Sequence, residues 1–383
     1  MPHLLRKTNM DNFADNLRSL FPIVFMPTDD KQHKTDSKKA LIFVPDMSLN
    51  GAQTSLYSLA QILSDLSYVI TIISSEDGEY RQKYTDLGVV VAVNPNVAVD
   101  DVAREFIQSQ FDLVILNSSS CLPYLFFFIN TSVRTIWWLH ETKQQIENCH
   151  SYIPAPQLLS PNISIVAAHP SVQEGLRSMF NHDFKLLPVP VIDHIFTGTP
   201  LPCNDKVTFF IPAAYSYIKG QDILLKVIST LPKEYLDRSE FIFCGYSLEG
   251  QKEYYEKIKQ LCSKLPNVSL LGELSQEDTF EYYRSSDCVI APSRIDSGPA
   301  SIIEAMMFQK LTLVSSNAGI AVFISDCVNG FVFHDEEELF QRLLLIISDI
   351  HVLDSVSKNG RQTYEEHFAP DVVERKLRSL IET

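Results

Sequence analysis

The chain has few glycines, 13 in 383 residues, about half of the roughly 7% usual in globular proteins. Basic residues are also outnumbered, 32 Lys and Arg against 47 Asp and Glu, for a net charge of −15. That surplus repels phosphate backbones and anionic lipid, and it argues against a nucleic-acid partner. Cysteines occur only singly, at positions 121, 149, 203, 244, 262, 288 and 327. With no Cys-x-x-Cys spacing, and several inside apolar runs, they read as reduced, buried thiols of an intracellular protein rather than a disulfide framework or zinc site. The longest strongly apolar stretch, Leu122 to Ile129, is far short of the ~20 residues that cross a bilayer. The N-terminus lacks the charged, apolar and small-residue order of a signal peptide. A soluble, cytoplasmic protein is expected. Residues 1–40 reverse the charge balance, with seven basic against five acidic residues, and read as a solvated lead-in.

What is present suffices for sizeable cores. A composition of 45% hydrophobic and 21% charged residues is that of a globular chain, not a disordered, collagenous or coiled-coil one. At about 150 residues per domain the length favours two domains. Ala40 to Val44 is a short apolar run ended by Pro45, a buried strand. The stretch that follows repeats apolar residues at 56, 59, 60 and 63, the spacing of a helix. Further apolar runs at 68–73, 89–93, 112–116, 133–139 and 163–167 alternate with polar or amphipathic segments, as in a parallel sheet with helical crossovers. A proline-rich linker is expected near 188–206. A second series follows: strands at 207–211, 241–244, 268–271, 288–291 and 311–315, with helices over 220–231, 250–264 and 299–308. The fold class is α/β, two doubly wound Rossmann-like halves facing a central cleft, where ligands bind at the carboxyl ends of the strands. No G-x-G-x-x-G follows the strand at 40–44, which disfavours a dehydrogenase.

Three segments carry chemistry. In Ala291-Pro-Ser-Arg294-Ile-Asp296-Ser297-Gly298-Pro299-Ala300-Ser301-Ile-Ile-Glu304, two carboxylates eight positions apart flank a turn, with Pro299 suited to the first helical position. The N–H groups that follow can receive a phosphate. Tyr215-Ser-Tyr217-Ile-Lys219-Gly220 delivers a lysine to a helix start, a point charge for a diphosphate. The Asn50-Gly51-Ala52 turn would let the backbone approach the same cleft. Each has an ordinary alternative: surface acids, a solvated lysine, a plain turn glycine.

In order along residues 40 to 370, Leu49-Asn-Gly51-Ala, Trp138-Leu-His140-Glu141, Ile218-Lys219-Gly220, Leu271-Gly272-Glu273-Leu274, Ala291-Pro292-Ser293 and the pair Asp296 and Glu304 resemble the GT-B retaining glycosyltransferases of the family-4-like group, the glycosyl transferases group 1. The resemblance implies a domain at 40–190 on the acceptor side, after a lead-in at 1–39. It implies a nucleotide-sugar domain at 191–365 and a last helix, 366–383, packing back on the first domain. By the same resemblance, His140, Lys219 and Asp296 are catalytic, with Lys219 on the diphosphate and Asp296 on the sugar hydroxyls. Glu304 falls on the ribose, and Gly51, Gly272, Leu274, Ser297, Gly298, Pro299, Ala300 and Ser301 complete the donor site.

Three departures from the family pattern are visible. Asp296 replaces the usual glutamate, Ala214 stands where the arginine partner of the lysine is expected, and Gln309 replaces a glycine after the motif helix. Arg294 is the nearest replacement cation. There is no Asp-x-Asp, the metal-bound donor motif of the other large transferase fold, so no metal and no cofactor beyond the donor is expected.

The implied activity is retaining, metal-independent transfer from a nucleoside-diphosphate sugar, a uridine one by resemblance, to a glycan, glycolipid or glycoprotein. The partners left open are a peripheral contact with the inner face of the membrane and a companion transferase subunit. The alternatives are a catalytically silent, glycan-binding subunit and a GT-B epimerase. His140 is read as an active-site group or a satisfied structural one, and Glu141 is expected to point away from it. Leu122–Ile129 is read as a buried helix rather than a lipid-facing one, and His169 and Glu174 are unassigned.

Overall fold

The structure, a computed structural model, describes residues 9–21, 23–27, 37–48, 51–97, 101–148, 153–156, 159–194, 206–248, 250–349 and 354–382. The chain divides into two compact units, Met1–Pro190 with Val373–Thr383, and Val191–Val372. Most of the proline-rich linker expected near 188–206, and the Leu49-Asn50 half of the first glycine turn, lie outside the described residues.

In chain order the first unit contains α1 (Asn9–Leu20), β1 (Ile23–Phe25), β2 (Lys39–Val44), α2 (Gly51–Asp65), β3 (Val69–Ser74), α3 (Tyr80–Leu87), β4 (Val90–Val93), α4 (Asp101–Gln110) and β5 (Leu113–Asn117). It continues with α5 (Leu122–Leu125), β6 (Arg134–Leu139), α6 (Lys143–Asn148), β7 (Ile163–Ala167), α7 (Pro170–Phe180) and β8 (Lys185–Leu186). Its strands form one sheet in the order β1-β4-β3-β2-β5-β6-β7-β8, parallel except for β1. The strands are near-continuous apolar runs because helices cover both faces; every residue of β3 is buried. Leu56, Leu59, Ala60 and Leu63 of α2, the apolar positions at helical spacing, are all buried. Gly88, left-handed at φ 96°, ends α3 and donates its N–H back to Thr85 and Tyr84 carbonyls.

The second unit contains β9 (Val207–Pro212), α8 (Gln221–Ile228), α9 (Lys233–Leu236), β10 (Ser239–Cys244), α10 (Lys252–Cys262), β11 (Val268–Leu270), α11 (Gln276–Ser285) and β12 (Cys288–Ala291). It ends with α12 (Ala300–Met307), β13 (Leu311–Ser315), β14 (Phe331–Phe333), α13 (Glu336–Ser348) and α14 (Asp354–His367). Its six strands run parallel in the order β11-β10-β9-β12-β13-β14. Two N-caps follow the usual rule. Ser275 Oγ accepts from the Asp278 N–H to start α11, and the Asp335 carboxylate does so from Glu338 to start α13. A final helix, α15 (Pro370–Glu382), belongs mostly to the first unit, where Arg134 Nε donates to the Leu380 carbonyl at 2.7 Å.

Three local expectations change. The lead-in is not a solvated tail: Leu17 and Phe21 are buried in the first unit's core and β1 pairs antiparallel with β4, Ile23 against Val93. Few apolar residues suffice there, because the segment covers a sheet edge rather than building a core of its own. The Leu122–Ile129 run makes only one helical turn, burying Tyr124, Leu125, Phe127 and Phe128 and leaving Phe126 exposed. Pro299 stands at the cap of α12 instead of its first helical position. Of the cysteines, 121, 244, 262 and 288 are buried free thiols and Cys327 is exposed, while Cys149 and Cys203 lie outside the described residues.

A core role for the lead-in has a direct consequence. Leu17→Ala is expected to lower the unfolding free energy by about 2–4 kcal/mol, read by chemical denaturation. A change below about 0.5 kcal/mol would return α1 to a solvated lead-in.

Candidate functional site in the second unit

Sheet order sets the place. The chain winds outward through β9, β10 and β11, then returns to lay β12 beside β9, pairing Cys288 with Phe209 and Val289 with Phe210. That reversal is a topological switch point, whose crevice lies at the carboxyl ends of the two strands. The loop after β9 carries Lys219 and the loop after β12 carries Asp296.

The two loops are stitched together. Gly220 is left-handed (φ 70°), and a Cβ there would sit 2.0 Å from the Pro292 carbonyl oxygen, so only glycine fits. The Arg294 N–H donates to the Ile218 carbonyl at 2.7 Å. Lys219 Nζ lies 2.6 Å from Asp296 Oδ2, with the lysine side chain 27% exposed and the aspartate side chain 8% exposed. Asp296 is held further: its Oδ1 accepts the Gly298 N–H at 3.2 Å, its Oδ2 takes the Ser293 hydroxyl at 3.4 Å, and its backbone bridges Ala318. The structure thus brings together Lys219, Asp296, Gly298 and the start of α12, 77 residues apart in sequence at the ion pair.

Arg294 does not supply a free charge. Its guanidinium makes a forked pair with Asp222, 2.7 and 3.1 Å, donates to the Tyr217 carbonyl and stacks 4.0 Å over the Tyr217 ring. Asp222 also takes Lys257 and Tyr254, and despite partial burial these donors hold its carboxyl well below the usual carboxylate range. Ala214 offers no charge and accepts the Gln221 side-chain amide on its carbonyl at 3.0 Å. Lys219, paired with Asp296, is therefore the charge this loop presents beside the start of α12, where the Ile302 N–H already donates to the Pro299 carbonyl at 3.0 Å. Gln309 after α12 is left-handed at φ 55°, the conformation for which glycine is the easy choice.

Glu304 lies one turn inside α12. Its side chain is half-buried, and loss of hydration pushes its carboxyl up to about 7, against a hydrogen bond from Tyr283 that lowers it. The Tyr283 hydroxyl donates to Glu304 Oε2 at 2.6 Å. Nothing in the sequence singled out Tyr283. Its pattern is that of any core aromatic on an amphipathic helix. On the neighbouring loops, Gly272 is left-handed at φ 71° with open space where a Cβ would go, and its carbonyl accepts the Gly245 N–H at 2.7 Å. Leu274 is half-buried, as are Ser297, Ala300 and Ser301, while Pro299 is buried.

In the first unit, His140 follows β6. Its Nε2 lies 2.9 Å from Asn117 Oδ1 at the end of β5, and its ring meets Trp138 edge-on at 4.1 Å. Burial first, and neighbouring His169 second, push its pKa down to about 3, so the imidazole is neutral near pH 7 and a poor proton acceptor. Glu141 does not point away: its carboxylate takes the backbone N–H of His140 at 3.0 Å and of Ser119 at 2.5 Å. That clamp adjoins Ser118, held at φ 99° and ψ 166°, a region costing a non-glycine residue about 1–3 kcal/mol. Sequence alternation missed the clamp because β6 ends at Leu139, before both residues. Gly51 is exposed at the start of α2 with room for a side chain, so the protein's own packing does not require glycine there.

The raised Glu304 carboxyl has a sign. In the unfolded chain it titrates near its ordinary 4.5, in the fold near 7. Its contribution to stability is full below the unfolded value and lost as pH rises through the folded one. Glu304→Gln is therefore expected to be more stable than the parent at pH 8 by about 1–3 kcal/mol, with no such gain at pH 4, in denaturant titrations at the two pH values. Equal stability at pH 8 would contradict the burial of a charge there.

Residues 192–363 match the family described as glycosyl transferases group 1. A Haemophilus influenzae protein described as an uncharacterized glycosyltransferase is 24% identical over 286 residues, covering 71% of this chain and 77% of that one. Among solved structures, Anabaena HepE, crystallised with UDP and glucose and also with UDP-glucose, superposes with a TM-score of 0.76 at 16% identity, over 90% of this chain and 100% of that chain in the UDP and glucose complex. A glycosyltransferase from Rickettsia africae gives 0.76 at 18% identity, over 91% and 98%. The fold is GT-B, and within the second unit residues 192–363 match the group 1 glycosyltransferase model.

Proposed function

We propose that this protein is a group 1 glycosyltransferase that moves a sugar, with retention of configuration and without a metal ion, from a UDP-sugar to a glycan, glycolipid or glycoprotein hydroxyl. The observation that carries the donor site is the Lys219–Asp296 pair at the β9/β12 switch point, next to the start of α12 and one turn from Glu304. The UDP and UDP-glucose complexes of the similar HepE support uridine. In this reading the diphosphate draws Lys219 away from Asp296 and lies against the N–H groups of Ala300 and Ser301. Asp296, Ser297 and Gly298 then face the sugar, Gly272 and Leu274 the base, and Glu304 the ribose. Pro299 fixes the turn.

The chemistry follows from positioning and charge. The acceptor oxygen attacks the anomeric carbon from the face the phosphate leaves. The carbon–phosphate oxygen bond breaks as the new glycosidic bond forms, and the acceptor proton passes to the departing phosphate oxygen. Lys219 stabilises the charge that builds there. His140, with its pKa pushed down to about 3, is neutral and does not serve as the base.

A second reading, a silent glycan-binding subunit working beside an active transferase, is favoured by one observation. Arg294 is bound to Asp222 and Ala214 is uncharged, leaving Lys219 the cation of the diphosphate loop. Calorimetry with UDP, UDP-sugars and other nucleoside diphosphates, with and without chelator, separates the two. Chelator-insensitive UDP binding that Lys219→Ala weakens about tenfold or more, about 1.4 kcal/mol, supports the donor site. Asp296→Asn should then impair UDP-sugar more than bare UDP. Binding without any hydrolysis or transfer would favour the silent subunit, and no binding at all would remove the donor reading.

A further inference from the structure

The ring of Tyr283, on α11, is fully buried. It stacks on Phe308, with centroids 5.5 Å apart and planes at 16°, and meets Phe210 edge-on at 5.2 Å. Those two contacts leave the hydroxyl in one place. It lies 2.6 Å from Glu304 Oε2 and 3.2 Å from the Ser301 carbonyl oxygen, in the first turn of α12.

A phenol has one proton, so it cannot donate to both acceptors at once. When Glu304 is ionised, the charge-assisted bond to the carboxylate is the stronger, and the hydroxyl turns there. When Glu304 takes up a proton, the carboxylic acid becomes the donor to the phenol oxygen, and the phenol proton turns to the Ser301 carbonyl. Atoms balance in both states, and the only exchange is one proton with solvent.

We propose that Tyr283 is the positioning residue for ribose recognition: its hydroxyl holds Glu304 as an acceptor-only carboxylate aimed at two ribose hydroxyls, and releases it to Ser301 when Glu304 is protonated. This rests on the reading of Glu304 as the ribose carboxylate. The fit is chemical. A carboxylate has about four lone-pair sites; the Tyr283 hydroxyl fills one and leaves the others for a vicinal diol, which an uncharged acid could not accept equally.

Among the described residues, Tyr283 from α11 and the Cys244 thiol from the end of β10 interact with the Glu304 carboxyl, and burial pushes both up and keeps them neutral. Burial raises the Glu304 carboxyl and the Tyr283 hydrogen bond lowers it. Loss of the phenol hydroxyl therefore drives Glu304 further toward its protonated form.

The test uses the full chain labelled with carboxyl-carbon-13 glutamate, the Glu304 signal being the one lost in Glu304→Gln. Tyr283→Phe is expected to raise the Glu304 midpoint by about one pH unit. Incorporation of 3,5-difluorotyrosine at 283, a stronger donor in the same ring, should lower it. In parallel, UDP affinity of Tyr283→Phe should fall about fivefold at pH 7 and return to within about twofold of the parent at pH 9. 2′,3′-Dideoxy-UDP, which lacks the diol, should bind both proteins alike at each pH. An unmoved midpoint with parent UDP binding that still depends on pH overturns the role of Tyr283 alone. A moved midpoint with UDP binding that is absent, or that matches dideoxy-UDP throughout, overturns the ribose reading of Glu304 and the positioning role with it.

Discussion

The contact between Lys219 and Asp296 is what the second unit's sheet order exists to make. Lys219 closes a single 3-10 turn, Tyr217–Lys219, and Asp296 makes only an isolated bridge with Ala318, so each loop has little regular structure of its own to fix it. Winding β12 back beside β9 brings the loop ends within reach. Gly220 then lets the chain pass against the Pro292 carbonyl where a side chain would clash. With the ammonium 2.6 Å from a carboxylate whose side chain is only 8% exposed, removing one partner alone would leave a poorly hydrated charge, so the pair ties the two loops together.

The same contact governs the electrostatics of the proposed donor site. A doubly charged diphosphate meets a loop whose lysine is already neutralised and whose nearby arginine is committed to Asp222. Attraction must come from exchange, Lys219 leaving a carboxylate for a phosphate, and from backbone dipoles at the start of α12. The shortness of Asp296 relative to the family glutamate fits this arrangement: it accepts Lys219 on one oxygen and the Gly298 N–H on the other, bracing the turn that precedes the helix. A half-neutral site also fits a half-buried Glu304 whose carboxyl is raised toward neutrality by lost hydration and lowered only by the Tyr283 hydrogen bond.

Much of this was legible in the sequence because buried parallel strands leave a strong mark. Phe209, Phe210 and Ile211 read as a strand because helices cover both sheet faces, and Pro299 marked the start of α12. What could not be read was pairing across distance. The commitment of Arg294 to Asp222, 72 residues away, and of Tyr283 to Glu304, 21 away, depends on which loops the sheet order brings together, and no local periodicity records that. The Glu141 clamp was misread because alternation no longer applies past Leu139, where β6 ends. The lead-in was missed because α1 and β1 cover an edge with only a few buried side chains, Leu17 and Phe21 among them.

The most direct measurement is a crystal structure of the chain with UDP. The account predicts Lys219 Nζ moved from Asp296 onto the phosphates, the phosphates against the first turn of α12, and the ribose diol on Glu304. UDP bound elsewhere, with the Lys219–Asp296 pair intact, would contradict it.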